Sequence, residues 1–379
     1  MTQKENIISI NTAHPRESAR KRLGELASES DVDAVVLSSY QAVSYFGRTQ
    51  IMTQVSIPDR LAYLLVDADG SASLVLCSLE TRLVRGQTDL GEIVEYTEFV
   101  DNPAAVLANI LRERDLDSGR LGIEARRLSL TDAEFLRSEL PSLELVGLDD
   151  EIERSQSVKE QHEIDSLAFA AQSTRASILE GAEAATIGTT ERDLCANIMS
   201  RVMARGGIPT FVVFGSGPRS LETHSEPIAK ELTEGEIWRI DAGARFDGVF
   251  NSDLARTGVV GPPQPRQTEV LQALRATQTA GFDVLEAGRP ASDVFRAVEA
   301  EFESQGLPFF MPHVGHGLGI GLHEAPMLQP ANDTPLQAGM VLCIEPMVQL
   351  PDENECYHVE DLVEVTEDEI GRASCRERV

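Results

Sequence analysis

Three histidines, His313, His316 and His323, fall within eleven residues of one another in segment 312–326, PHVGHGLGIGLHEAP, together with Gly315, Gly317, Gly319 and Gly321. Glycine lets a backbone come unusually close to another group. A glycine-rich stretch loaded with imidazoles therefore reads as a ligand cradle rather than a piece of core. Five of the seven histidines, these three with His224 and His358, lie beyond residue 200. Chemistry is expected in the second half of the chain.

That half also places carboxylates inside apolar, strand-like runs. Asp241 follows Trp238 and Ile240 in IWRIDAG, and alternation turns it away from that pair, leaving Trp238 to the core. Asp253 lies twelve residues on, past an expected turn at Asp247-Gly248. Glu345 sits in VLCIEP and Glu360 in HVEDLV. A carboxylate buried without a partner is costly, so each one predicts a cation or dense hydrogen bonding. Four carboxylates and one imidazole form a hard donor set suited to Mn2+, Co2+, Fe2+ or Zn2+, and a bridged pair of such ions would stand about 3.5 to 4 Å apart.

A chain of 379 residues suits two domains. Residues 1–156 alternate strand and helix signals: a β-branched run at 34–39, two strands around Asp-Ala-Asp-Gly within 60–77, and a helix opened by Asn102-Pro103. From Ser157 a long helix is expected, with Ile164, Leu167, Ala168, Ala171, Ile178 and Leu179 near one stripe. Thr190 with Asp193 resembles a capping box, and two more helices fit 267–286 and 292–305, ending at Gly288 and Gly306. The second domain is expected to span 157–369. Residues 370–379, IGRASCRERV, put three arginines after an acidic strand and read as a non-native tail, similar to translated adapter sequence.

Sixty-two acidic against 33 basic residues give a net charge of −29, and lysine occurs only at Lys4, Lys21, Lys159 and Lys230. Such a field repels nucleic acid and anionic membrane, so neither is an expected partner. No run approaches the roughly 18 apolar residues of a membrane span, and no secretory leader is visible, so the expected compartment is the cytoplasm. A lysine-poor acidic surface also suits high salt, where screening relieves self-repulsion. The five cysteines form no CxxC pair and are expected to be buried, idle thiols.

The ordered set Asp241-x-Gly243, Ser252-Asp253-x-x-Arg256-Thr257, Gly315-His316-Gly317-x-Gly319 with His323 seven residues after His316, Ile344-Glu345-Pro346 and Val359-Glu360-Asp361 resembles metallopeptidase family M24. That family includes proline dipeptidase, Xaa-Pro aminopeptidase and methionine aminopeptidase. The helix opening Ser157-Val-Lys159-Glu160-x-x-Glu163-Ile164 and the α/β region before it are similar to the proline-peptidase branch. The resemblance implies an α+β pita-bread catalytic domain, with helices backing a curved antiparallel sheet, preceded by a smaller α/β creatinase-type N-terminal domain. It implies two divalent metal ions, Mn2+ before Co2+, Zn2+ or Fe2+. Asp241 would chelate one, Asp253 and Glu360 would bridge both, and His316 and Glu345 would hold the other. Glu345 would also move a proton to the leaving amine, while His224 and His323 would donate to charge developing on the scissile group. The implied substrate is a small peptide cut at its N-terminus, at an Xaa-Pro bond, by what relatives suggest is a homodimer.

Three departures from the family pattern matter. The Asp241 to Asp253 interval is one residue longer than usual, so a bulge or longer turn must absorb the extra residue if both acids share a face. In a slipped register Asp247 is the other acid nearby. Pro312 stands where proline peptidases commonly carry histidine, which makes His313 a candidate substrate contact. His358 stands two residues before Glu360, where many relatives have arginine, and strand spacing puts both on one face. Arg256 either neutralises the acid-rich site or makes a plain ion pair. Two rival readings remain, a metal-independent creatinase-like amidinohydrolase and a catalytically silent peptide-binding member. The complete carboxylate set counts against both.

Overall fold

The computed structural model describes residues 17–57, 60–246 and 250–367. The Asp247-Gly248 turn, Cys375 and the tail at 370–379 lie outside them. The chain divides into two compact units between Gln156 and Ser157.

In the first unit, helices α1 (Glu17–Glu29), α2 (Tyr40–Gly47), α3 (Met52–Ser56), α4 (Thr81–Arg85), α5 (Pro103–Glu113), α6 (Leu130–Glu139) and α7 (Asp149–Ser157) accompany six strands. These are β1 (Ala34–Leu37), β2 (Tyr63–Asp67), β3 (Ala72–Cys77), β4 (Glu92–Tyr96), β5 (Arg120–Ile123) and β6 (Glu144–Gly147), in the sheet order β4-β3-β2-β1-β5-β6. Pairing is antiparallel along β1, β2 and β3 and parallel elsewhere, as the intervening helices require. The two strands around Asp-Ala-Asp-Gly form as their sequence predicts. Asn102 caps α5 by accepting from Ala104 N at 2.9 Å, just ahead of Pro103. Val36, Leu65, Val75, Leu107 and Leu121 share the core.

In the second unit, helices α8 (Gln161–Ala182), α9 (Glu191–Ala204), α10 (Pro265–Asp283) and α11 (Ala291–Ser304) back antiparallel strands. Strands β7 (Ile208–Ser216), β8 (Ile237–Phe246), β9 (Phe250–Asn251) and β10 (Leu254–Val259) form one sheet centred on β8. Strands β11 (Gly315–Gly317), β12 (Val341–Ile344) and β15 (Asp361–Glu364) form a second, while β13 (Met347–Leu350) and β14 (Glu355–His358) make a hairpin. Residues of α10 and α11, among them Leu274, Val298 and Phe302, bury against Leu342, Ile344, Val359 and Val363. Helices backing antiparallel sheets match the α+β class, but hydrogen bonding divides the single curved sheet of the expectation into three pieces. The breaks fall at acids: Asp253 precedes β10, Glu345 follows β12, and Glu360 separates β14 from β15. Glu360 N donates to Ala255 O at 3.1 Å and Thr257 Oγ1 to His358 O at 3.0 Å, which ties the pieces together.

The long helix differs from its sequence reading in two ways. It begins at Gln161, because Val158 bridges to Met340 and Glu160 exchanges a capping box with Glu163. Its inward face includes Ala170, Ser173, Thr174, Ser177 and Gly181, whereas Leu179 is exposed. Small and hydroxyl residues let the helix lie close to the sheet, where Thr174 Oγ1 and Ser252 Oγ are hydrogen-bonded at 2.7 Å. Helix α10 stops at Asp283, five residues short of Gly288. Trp238 is core, stacked on Phe214. None of the described helices is long and apolar enough to cross a membrane.

Gly243 sits where β8 meets both neighbours: a Cβ there would come 2.3 Å from Phe211 Cε1 and 2.4 Å from Ser252 O. We expect Gly243→Ala to cost about 1–3 kcal/mol through overpacking and to displace the segment carrying Asp253. Urea unfolding measures the first effect and a fall in bound divalent ion the second.

Candidate metal centre

Strand β8 carries Asp241 opposite Ala255 of β10 and opposite Val213 of β7. Ala242 faces Leu254 and, beyond the break, Arg245 faces Asn251, so one register runs along the whole hairpin. Asp253 therefore falls opposite Gly243, two residues from Asp241 and on the same face. No bulge separates the two acids in the described pairs of β8 with β9 and β10, so the longer interval does not turn them to opposite faces. The Asp241 and Asp253 carboxyls are close enough to shift each other's pKa, and Glu360 acts on Asp253 in the same way.

His316 lies on β11 opposite Cys343 of β12 and is buried. Its Nδ1 stands 3.0 Å from Gly317 O. With the proton on Nδ1, which that contact favours, the Nε2 lone pair points at carboxylates. Nε2 is 3.4 Å from Glu345 Oε1, 3.8 Å from Asp253 Oδ2 and 3.9 Å from Glu360 Oε1. The glycines around it serve packing, which corrects the ligand-cradle expectation. A Cβ on Gly315 would meet Cys343 O at 2.0 Å and one on Gly317 would meet Ala325 O at 2.4 Å. The histidine segment is further held by Lys159, whose Nζ lies 2.7 Å from Glu324 Oε2, while Glu324 Oε1 accepts from Gly321 N at 2.8 Å.

The other singled-out residues are also placed. His313 Nδ1 lies 3.4 Å from Glu345 Oε1, and His358 Nε2 lies 3.8 Å from Glu345 Oε2. Both thus flank Glu345. His323 is exposed and stacks on His316, ring centroids 4.0 Å apart. His224 is exposed as well, in the turn after β7, close enough for its charge to act on His323. Arg256 lies behind the acids rather than at an open face. It donates to Ala255 O at 2.8 Å, Glu360 O at 2.6 Å and Asp361 Oδ1 at 2.5 Å, so those donors are committed to bracing Glu360 and not to a substrate.

Electrostatics show what this cluster lacks. Burial, reinforced by Glu345, pushes Asp241 up to about 7. Burial and neighbouring acids hold Asp253 and Glu360 well above the carboxylate range. Glu345 differs: burial pushes it up too, but His313, 3.4 Å away, together with His316 and His358 outweighs that and holds it below the glutamate range. The neighbouring Glu345 carboxylate in turn raises His313. Burial lowers His316 to about 4 and His358 to about 3, so both are neutral imidazoles near pH 7. Asp241 Oδ1, Glu345 Oε1, Glu360 Oε1 and His316 Nε2 are buried with no hydrogen-bond partner among the described residues. Orphaned anionic oxygens facing an imidazole lone pair fit divalent cations, which satisfy every one of them.

Two nearby residues escaped the sequence reading. Cys343, taken for an idle thiol, has its Sγ within 4.8 Å of donor atoms of Asp253, His316 and Glu360. Its place was signalled by strand spacing, two residues before Glu345. The same spacing puts Arg239 on the face of Asp241, and Arg239 is fully buried.

Residues 157–367 match the family model for metallopeptidase family M24, and residues 20–158 match the creatinase/prolidase N-terminal domain. The probable dipeptidase PepE of Mycobacterium tuberculosis is 30% identical over 82% of this chain and 82% of its own length. The Xaa-Pro dipeptidase of Pyrococcus furiosus is 27% identical over 94% of this chain and 98% of its own. The crystal structure of dipeptidase PepE from Mycobacterium ulcerans superposes with a TM-score of 0.83 at 25% identity, covering 98% of each chain.

The buried acids give metal-free protein a signed pH dependence. Asp241, Asp253 and Glu360 bind protons more tightly folded than unfolded, so stability falls as pH rises through their folded range. His316 and His358 act oppositely, but only below their ordinary value of 6.5. Above that only the acids and His313, whose raised pKa gives it the same sign, shape the profile. We expect the melting temperature of chelated protein to fall between pH 6.5 and about 8, and saturating Mn2+ to remove the fall. A flat profile for the chelated protein would contradict the buried acid cluster.

Proposed function

Because the chain belongs to metallopeptidase family M24, and so is a metal-dependent peptide hydrolase, we propose that it cleaves the bond between an N-terminal residue and proline in dipeptides and short peptides. The observation that carries this reading is the convergence of Asp241, Asp253, His316, Glu345 and Glu360, with one donor atom each of Asp241, His316, Glu345 and Glu360 buried and unpartnered among the described residues. Relatives named as dipeptidases, one of them an Xaa-Pro dipeptidase, support the substrate class.

Asp241, Asp253 and Glu360 would hold one of two divalent cations, Mn2+ by preference, and His316 and Glu345, with the shared Asp253 and Glu360, the other. Bound there, the ions supply Lewis-acid activation of water and of the scissile carbonyl. Glu345 takes up the proton of the attacking water at Oε1 and passes it to the leaving amine. His313 and His358, on either side of Glu345, hold its carboxylate in place. His323 and His224 donate hydrogen bonds to the charge that develops on the substrate. Arg256 keeps Glu360 in register from behind. A metal-free amidinohydrolase or a silent binding protein would leave the buried acids without the cations they call for. The resemblance supports a homodimer, and the charge of −29 supports activity in high salt.

The reading is tested on Ala-Pro, Ala-Pro-Ala, Met-Ala-Ser and creatine, each with Mn2+ or chelator, at low and high salt. Proline substrates should be cleaved only with metal, and Glu345→Gln should lower kcat by about 10²–10⁴-fold. Creatine turnover that survives chelation would overturn the reading. Equal turnover of all the peptides would remove the proline preference.

A further inference from the structure

We propose that Arg239 and Glu191 are positioning residues that preorganise the loop presenting His224, a role that rests on the reading of His224 as a substrate contact. The loop runs from the end of β7 to Ile228, and His224 is exposed at its bend. Surface loops sample local opening readily, which suits poorly a group that must meet developing charge at a fixed point. Here the backbone is tied on both sides of His224 while its ring stays unencumbered.

Glu191, at the start of α9, is fully buried and closes the base of the loop. Its Oε1 accepts from Ser216 N at 3.0 Å and Ser216 Oγ at 2.7 Å, and its Oε2 accepts from Ile228 N at 3.1 Å. One carboxylate thus joins residues twelve apart. Arg219, inside the loop, adds an ion pair at 3.3 Å. Arg239 acts at the bend. Its Nη2 donates to Glu222 O at 3.0 Å and Thr223 O at 2.9 Å, the two carbonyls just before His224. On the other side, Ser225 O accepts from Phe214 N at 2.8 Å and Ser225 Oγ donates to Phe214 O at 2.8 Å.

A buried guanidinium is costly, and Arg239 Nε has no partner among the described residues, so this arginine is a poor choice for stability alone. What it holds is specific: the backbone immediately before His224. Its charge also reaches Asp241, which makes plain charge compensation the competing role. Lysine separates the two, because it keeps the charge and loses the planar fork.

The test combines hydrogen exchange with a double-mutant cycle. In Arg239→Met and Arg239→Lys, amides of residues 217–226 should exchange at least about tenfold faster, with β8 and the bound-metal stoichiometry unchanged. Glu191→Gln should loosen the same segment from its base. On Ala-Pro, Arg239→Met should lower kcat/KM by about 10- to 100-fold, and by no more than about threefold when His224 is already alanine. Unchanged exchange at 217–226 in all three variants would overturn the proposal, as would equal losses in both His224 backgrounds or full activity in Arg239→Lys with a tight loop. If wild-type protein leaves Ala-Pro intact, the substrate reading fails instead, and the exchange measurement decides the loop proposal by itself.

Discussion

Like charges brought together out of water set the terms for the second unit. Asp241, Asp253 and Glu360 crowd together, with Glu345 beside His316, and burial acts upward on all four carboxyls and prevails in the first three. Carboxylates at such distances cannot all ionise unless positive charge is supplied. The cations at hand are turned to other tasks: Arg256 donates to the Glu360 carbonyl and to Asp361, and Arg239 to the carbonyls before His224. His316 and His358 are neutral near pH 7. Divalent ions complete the charge balance, and the fold around them is a device for keeping the acids in place until they arrive.

That device depends on parity and on interruption. A constant register through β8, β9 and β10 sets Asp241 and Asp253 on one face, and a slip of one residue would send one of them to the other side. The remaining acids stand where strands stop, which frees their backbone from the ladder. Glu345 N then donates to Val314 O and Glu360 N to Ala255 O, each crossing to a different strand or loop. The second of these fixes together residues more than a hundred positions apart.

Much of this was legible in the sequence. Alternation in IWRIDAG, the Asn102-Pro103 helix start, the Thr190 cap and the cluster of histidines all have short-range causes, and the structure shows each in place. The features that were not legible have causes outside their own segments. Leu179 fits an apolar stripe, yet the sheet beneath α8 selects Ser173, Thr174 and Ser177, because hydroxyls pair there and small side chains allow close approach. The glycines of 315–317 looked like ligand contacts because the carbonyls they make room for, Cys343 O and Ala325 O, lie elsewhere in the chain. Cys343 and Arg239 could have been found by extending the two-residue strand spacing one step back from Glu345 and Asp241.

Four of the histidines around the centre separate into two groups by solvent access, and this division suits the two purposes proposed for them, with His313 intermediate between the groups. His316 and His358 are buried, so their pKa values fall far below neutrality and they present lone pairs, which is what a metal or a neutral partner needs. His224 and His323 are exposed, as their proposed role of donating a hydrogen bond to charge forming on a substrate requires. Exposure brings mobility, and the structure counters it differently at each site. His323 rests on the buried His316 ring within a segment tied by Lys159 and Glu324. His224 has no such platform, and its loop is instead drawn in by a buried arginine and a buried glutamate.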